Sequence, residues 1–247
     1  MDILIEFNPW DSNIFNKKIY DITYINDVDF SQLLKNEEKL KSENAYMAIV
    51  KINHNDLFLV HNLEKLGYNF TECLYEVRKD LFEIINQSPL CKLFELQTIT
   101  KRDQKYMNEI INIAQNTFDK DRYHMDPQIP HELADQRYKN WVINSLEEKD
   151  VSIYAYISQK ERNVASFLIT KKQDKSINLI LGGVLPKLKG YGVFYCMLID
   201  CLNTFYKEGN TSVFTKISGS NFEIFNMYMF LNFKINKRTI VMRKIFI

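Results

Sequence analysis

Eight residues, Ile177-Asn178-Leu179-Ile180-Leu181-Gly182-Gly183-Val184, lead through Leu185-Pro186-Lys187-Leu188-Lys189-Gly190-Tyr191-Gly192-Val193 into an apolar stretch beginning at Phe194. A strand, a glycine turn and a helix in immediate succession commit this part of the chain to a layered α/β arrangement. Backbone N–H groups converge at such a turn and the helix dipole adds positive potential, so the turn suits a pyrophosphate. Gly190 and Gly192 let the backbone approach a phosphate oxygen that any Cβ would block. Lys187 and Lys189 supply counter-charge. Taken alone, G-x-G before a helix is also an ordinary structural turn, and this one is neither G-x-G-x-x-G nor a P-loop.

The alternation continues on both sides of this unit. Residues 19–25 mix alternation with β-branched and aromatic side chains and predict a strand. Residues 30–42 predict an amphipathic helix with Leu33, Leu34 and Leu40 on its apolar side, and 45–52 a strand. Leu57, Val60, Leu63 and Leu66 have helical spacing, with Gly67 at the helix end, and 70–77 predict the next strand. Asn86-Gln87-Ser88-Pro89 is the best linker candidate, dividing the chain into 1–88 and 89–247. Beyond it, strands are predicted at 96–100, 152–157, 165–170, 177–185, 213–217 and 239–246. Helices are predicted at 103–118, 132–146, 194–206 and 222–231. One echo joins the halves: Leu66-Gly67-Tyr68 leads to Val77-Arg78-Lys79-Asp80-Leu81, and Leu231-Asn232-Phe233 leads to Met242-Arg243-Lys244-Ile245-Phe246.

Composition narrows the function classes. With 46% hydrophobic and 26% charged residues the 247-residue chain can bury a core. A formal charge of +1 gives no electrostatic footprint for nucleic acid. An acid at position 2 argues against a signal peptide, and no run of about 18 apolar residues exists to span a bilayer, so the expectation is a cytoplasmic protein. Cys73, Cys91, Cys196 and Cys201 contain no CxxC pair and read as reduced thiols. His124 lies far from the cysteines and the other histidines, so no metal is expected.

A second segment carries chemistry. Thr215 to Phe233 reads T-K-I-S-G-S-N-F-E-I-F-N-M-Y-M-F-L-N-F, in which Asn221 caps a helix and Tyr228 follows about two turns along the same face. Together with V-L-P-K-L-K-G-Y-G-V-F it resembles the GNAT acetyltransferases, whose donor motif is V-x-P followed by Q/R-x-x-G-x-G/A and whose acid segment is N-x-x-A-x-x-x-Y-x-x-x-G-F. Aligned on Val184 and Pro186, Lys189 takes the Q/R place, Gly192 the first glycine and Phe194 the last small residue. Aligned on the glycines, those places fall to Lys187, Gly190 and Gly192. Ile224 replaces a small residue and Asn232 a glycine, a mild change because Asn tolerates the left-handed conformation. The resemblance implies a splayed, mixed but mostly antiparallel sheet flanked by helices. It also implies a smaller N-terminal GNAT-like half in 1–88 and the catalytic half in 89–247. Acetyl-CoA would be held at Gly183, Val184, Lys189, Gly190, Tyr191, Gly192, Val193, Phe194 and Asn221. Tyr228 would protonate the departing thiolate, and backbone N–H groups of residues 177–183 would hold the thioester oxygen.

Three further stretches resemble a narrower group, the dTDP-fucosamine acetyltransferases. Trp10-Asp11-Ser12-Asn13-Ile14-Phe15-Asn16 is similar to W-[DE]-[SN]-x-F-F-G, and Leu66 to Glu72 to L-G-F-x-L-v-[ED]. Arg122-Tyr123-His124-Met125-Asp126-Pro127, continuing through Ala134-Asp135, Tyr138, Trp141 and Asn144-Ser145, is similar to R-F-H-x-D-P…A-D-x-x-Y-x-x-W-x-x-N-S. The resemblance implies a nucleotide-linked amino sugar as acceptor, with Glu72 as base and His124 assisting proton transfer. Trp10, Arg122, Tyr123 and Asp126 would face the acceptor. Another amine acceptor and a non-catalytic CoA-binding module remain open, as does a homodimer paired through sheet edges.

Overall fold

The computed structural model describes residues 3–24 and 29–246. Strand β1 spans Ile3–Phe7, helix α1 Pro9–Phe15, β2 Ile19–Tyr24, α2 Phe30–Ser42, β3 Met47–Asn53, α3 Leu57–Lys65 and β4 Asn69–Asp80. A 3-10 turn at Pro89–Leu93 precedes β5 Phe94–Ile99, α4 Gln104–Thr117, α5 His131–Ser145, β6 Val151–Ser158, β7 Val164–Gln173 and β8 Ser176–Val184. A second 3-10 turn, Pro186–Leu188, leads to α6 Val193–Lys207, β9 Ser212–Ser218, α7 Phe222–Phe230 and β10 Lys234–Ile245. Residue 25 of the predicted first strand lies outside the described residues.

The strands form one sheet in the order β1-β2-β3-β10-β4-β9-β8-β7-β6-β5. Neighbours are antiparallel except for β2 with β3 and β8 with β9. Each parallel pair is joined by a helix, α2 or α6, because parallel strands need a long crossover. Each is also short, with four register pairs from Ile19/Met47 to Ile22/Val50 and four from Ser176/Ser212 to Leu179/Thr215. About the β10–β4 pair the order is symmetric over three strands on each side: β3 answers β9, β2 answers β8 and β1 answers β7, with β10 and β4 exchanging places, and β6 and β5 extend one side only. The echo at Leu66 and Leu231 marks these two exchanging strands. Mixed α/β architecture with a splayed sheet is therefore present.

Helices cover both faces. One face buries Cys196, Met197, Ile199, Leu202 and Phe205 of α6 against Val77, Leu179, Val213 and Ile217. The other buries Ile110, Ile113 and Ala114 of α4 against Ala155, Phe167 and Ile169. Tyr123, Ile129 and Ala134 pack on Ile49 and Val241 beside them. At about 1.5–3 kcal/mol for each fully buried large aliphatic or aromatic side chain, these layers supply the main favourable term in folding.

Candidate active site

After Leu179 and Thr215 the two strands part. β8 runs on to Val184 beside β7, while β9 runs on to Ser218 beside β4. A one-residue bulge marks the fork: Leu181 faces Ile169 and Leu179 faces Thr170, which leaves Ile180 without a register partner. Bulges bend a strand and raise its twist, so this one opens the wedge. The Thr215 hydroxyl donates to the Leu179 carbonyl at 2.7 Å and pins its apex.

The N-terminus of α6 stands at the open end. Its N-cap is Gly192, at φ 77°, and no side chain caps it. The first-turn N–H groups therefore have no side-chain partner and keep their affinity for an anion. The N-terminus of α2, at the matching place in the other parallel pair, is closed by a reciprocal capping box between Asp29 and Gln32. Gly190 takes φ 82° with nothing within 4 Å of a built Cβ, so its requirement in this molecule is conformational.

The side chains around the turn are tied down. Lys189 donates to the Thr117 carbonyl at the end of α4 at 2.7 Å and lies 3.6 Å from Asp119. Lys187 lies 3.6 Å from Glu161. Thr117 in turn donates to the Val184 carbonyl at 2.7 Å. Tyr191 is exposed and Val193 buried. The two glycines of β8 have steric reasons. A Cβ on Gly182 would come within 2.6 Å of the Phe194 ring, and one on Gly183 within 2.7 Å of the Phe167 ring. Two aromatic rings thus press on opposite faces of the strand, and Phe194 lies over Gly182 on the face that Leu168 of β7 also meets.

Tyr228 lies on α7, whose N-cap Asn221 accepts from the Ile224 N–H at 3.3 Å. The phenol is buried in the same core as Phe194, edge-on to Phe233 at 4.8 Å. Burial, then the neighbouring Cys201, push its pKa up, while a hydrogen bond with Thr215 acts the other way. Tyr228 is thus a protonated phenol at the apex of the wedge.

The other predicted residues converge on a second feature. Glu72 accepts from Arg122 Nη1 at 2.6 Å, Arg122 Nη2 donates to the Tyr123 hydroxyl at 3.1 Å, and Tyr123 donates to Asp11 at 2.6 Å. Arg137 Nε completes the chain at 2.8 Å from Asp11. Two guanidiniums flank the Tyr123 ring, with centroid distances of 4.7 Å for Arg122 and 4.3 Å for Arg137. Asp126 accepts both Nε and Nη2 of Arg243 at 2.6 Å. His124 uses both ring nitrogens, Nδ1 with Asp121 at 2.5 Å and Nε2 with Asp135 at 3.1 Å. Burial pushes its pKa down, but the two carboxylates outweigh it and the net shift is upward. Held between two carboxylates, the ring favours its protonated form and spends both nitrogens on Asp121 and Asp135. Glu72 is buried against a guanidinium, so its carboxylate serves Arg122 first. Trp10 packs half-buried beside Ile14 and Phe15.

Thr117 and Arg137 complete these networks without a sequence signal, and Asp11, Thr215 and Arg243, which stand in the quoted motifs, carry no predicted role there. Arg243 pairs with a residue 117 positions away. Among the described residues no group of three or more His, Cys, Asp or Glu is arranged to hold a metal ion, and no helix is long and apolar enough to cross a membrane.

No family model matches the sequence, and no curated protein matches it. Solved structures do match. A GCN5-related N-acetyltransferase from Sphaerobacter thermophilus superposes with a TM-score of 0.70 over 99% of this chain and 76% of its own, at 10% identity. A functionally unknown conserved protein from Staphylococcus epidermidis reaches 0.67 over 94% and 91%, at 14% identity. A tandem GNAT protein from the clavulanic acid biosynthesis pathway reaches 0.63 over 92% and 75%, at 8% identity. At such identities the likeness concerns architecture, and the architecture of this chain is the GNAT fold.

Proposed function

We propose that the protein is an acetyl-CoA-dependent N-acetyltransferase whose acceptor is a nucleotide-linked amino sugar of the 4-amino-4,6-dideoxyhexose type. The observation that carries the reading is the alignment of three features in one wedge: an uncapped helix start at Gly192, a bulged strand at Ile180 and a buried phenol at Tyr228. The donor's diphosphate would lie on the amides from Gly190 to Val193, and its pantetheine arm would run toward Thr215. A β8 N–H beyond the bulge would donate to the thioester oxygen. The amine attacks the thioester carbon, a C–N bond forms, and the C–S bond breaks. The departing thiolate, with a thiol pKa of about 8.5, takes the Tyr228 proton, the new ammonium gives up one proton to solvent, and solvent returns one proton to the Tyr228 phenolate, which restores the acid. The sugar acceptor rests on the ordered motifs at Trp10, Glu72 and Arg122 to Asp126. In this reading Glu72 and Asp126 hold Arg122 and Arg243 in place on the acceptor side.

The same reading takes residues 1–88 as a reduced copy of the catalytic half. Tyr228 stands seven residues after N-cap Asn221, and Leu63 stands seven after N-cap Asp56, so the copy has no phenol. The capping box at Asp29 likewise fills the place of the open helix start. The donor site belongs to the β8–β9 wedge alone.

The test is thiol release from acetyl-CoA in the presence of dTDP-4-amino-4,6-dideoxygalactose, extended to a panel of UDP- and dTDP-linked amino sugars. Turnover is expected, and Tyr228→Phe should lower it about 100-fold with little change in donor binding. Activity on free amines alone would replace the acceptor. Phe194, a bulky residue at the last small place of the donor motif and packed over Gly182, favours one second reading, a CoA-binding module without chemistry. Calorimetric binding of acetyl-CoA with no turnover on any amine would select it.

A further inference from the structure

A surface hollow of 410 Å³ opens at the far end of the N-terminal strands, lined by Tyr46, Gly67, Asn69, Gln128, Arg243 and Ile245. We infer that this hollow docks the distal end of the acceptor, a planar heterocycle with a lactam edge such as a pyrimidine base. The inference rests on the acetyltransferase reading and assigns the acceptor's far end a place within it.

The volume is in the range of small-molecule sites, which pair apolar walls with a few placed polar groups. Here the placed groups are two primary amides. Both residues are exposed and their amides are open to solvent or a ligand: among the described residues neither the Gln128 amide nor the Asn69 carbonyl oxygen has a side-chain partner, and Asn69 Nδ2 reaches only the Gly67 carbonyl at 3.4 Å. An amide presents both a donor and an acceptor, the complement of a lactam. Tyr46 adds an aromatic wall, with the Lys17 ammonium 3.9 Å from its ring centroid. Arg243 is fixed and neutralised by its two bonds to Asp126. The hollow therefore selects a neutral polar ring over a bare phosphate. A 10 Å³ cavity adjoins it through Arg243, lined also by Arg122, Tyr123 and Asp126. Arg122 Nε is buried without an acceptor.

Position ties the hollow to the wedge. Asn69 begins β4, and Leu74 of the same strand faces Ser218, the last residue of β9. Five residues of strand span about 17 Å and bring the hollow to the mouth of the wedge, and Val77, three residues further along β4, faces Thr215 at its apex. One loop runs the whole way. It is tethered at Asp119 to Lys189, at Lys120 to Glu223 of α7, at Arg122 to Glu72 of β4 and at Asp126 to Arg243 of β10, and Gln128 then enters the hollow.

The experiment is calorimetry of the full chain with thymidine 5′-diphosphate and uridine 5′-diphosphate, and separately with acetyl-CoA. Wild type should bind at least one nucleotide, and Gln128→Ala with Asn69→Ala should weaken that binding at least tenfold while acetyl-CoA binding stays within twofold. Gln128→Glu, which keeps the acceptor and loses the donor, should weaken it as well. Nucleotide binding indifferent to all three variants would overturn the inference, as would acetyl-CoA binding without any nucleotide binding. Nucleotide binding that follows the variants in a chain blind to acetyl-CoA would keep the hollow and remove the acetyltransferase reading.

Discussion

Replacing Gly182 by Ala tests the packing of Phe194 on β8, beside the wedge. The new methyl would lie 2.6 Å from two atoms of the Phe194 ring and 3.2 Å from Leu168. Ordinary carbon contacts lie near 3.5–4.0 Å, so the ring must retreat by about 1 Å. Overpacking of this kind costs about 1–3 kcal/mol. Gly182 has ordinary strand geometry, so the substitution also removes freedom from the unfolded chain and returns about 0.4–1 kcal/mol. The net expectation is destabilisation by about 0.5–2 kcal/mol. In a Phe194→Ala background the ring is gone, and the same substitution should be neutral or stabilising by a few tenths of a kcal/mol. Equilibrium urea unfolding of the four proteins gives the coupling, expected to exceed about 1 kcal/mol. Effects that add within about 0.5 kcal/mol would mean that the ring does not rest on Gly182, and the account of this packing would fail.

Three other substitutions probe the surrounding networks. The His124 pKa is raised on folding, so its contribution to stability is full below about pH 6.5 and lost as pH rises through the folded value. His124→Asn should flatten that alkaline loss in urea midpoints measured from pH 5 to 9; an unchanged slope would assign it to another group. Asp11→Ala strips the buried carboxylate from Arg137 and Tyr123 and should cost about 3–5 kcal/mol, whereas a loss under 1 kcal/mol would show that the chain of bonds relaxes. Gly190→Ala meets nothing sterically but must hold φ 82°, so thermal unfolding should report a loss of about 1 kcal/mol; no change would mean that the turn readjusts.

The alternation of apolar residues predicts nearly every element from residue 30 onward, because strand and helix periods differ and most segments are amphipathic. Helix 30–42 is found with those bounds. Asn232, read as a glycine substitute, takes φ 61°. Where side chains are polar the pattern is blind. β10 starts at Lys234, five residues before the predicted start at 239, since Lys234 to Arg238 have little apolar alternation and pair by backbone with β4. β1 and α1 are not among the predicted elements, although Asn8 followed by Pro9 is a helix-start signal: Asn8 accepts from the Asp11 N–H and Pro9 opens the helix. At the site, motif spacing locates Gly192, Asn221 and Tyr228. It cannot reveal partners distant in sequence. The pairing of Arg122 with Glu72, and of Arg243 with Asp126, depends on β4 and β10 lying side by side, which no local pattern encodes.

That adjacency also explains why the chain is built as two interleaved sets of strands. β9 meets β4 where residues 89–247 by themselves would offer an edge, and β10 crosses to lie between β3 and β4. An unpaired edge invites association with other chains, and the exchange removes it at the centre of the sheet. It also carries Glu72 and Arg243 into one neighbourhood, on adjacent strands where Val241 faces Glu72 and Arg243 faces Asn69. There they receive Arg122 and Asp126 from a single loop whose other end is tied to Lys189 and Glu223 at the wedge. A loop of this length would cost conformational entropy to order, and buried ion pairs alone are weak compensation for their own desolvation. Two of the tethers, Arg122–Glu72 and Asp126–Arg243, are buried and hold the loop against β4 and β10, whereas Lys189–Asp119 and Lys120–Glu223 are exposed surface pairs worth little on their own. Residues 1–88, with Leu63 at the place matching Tyr228 and a capping box at the place matching Gly192, supply β3 and β4, between which β10 and its Arg243 lie.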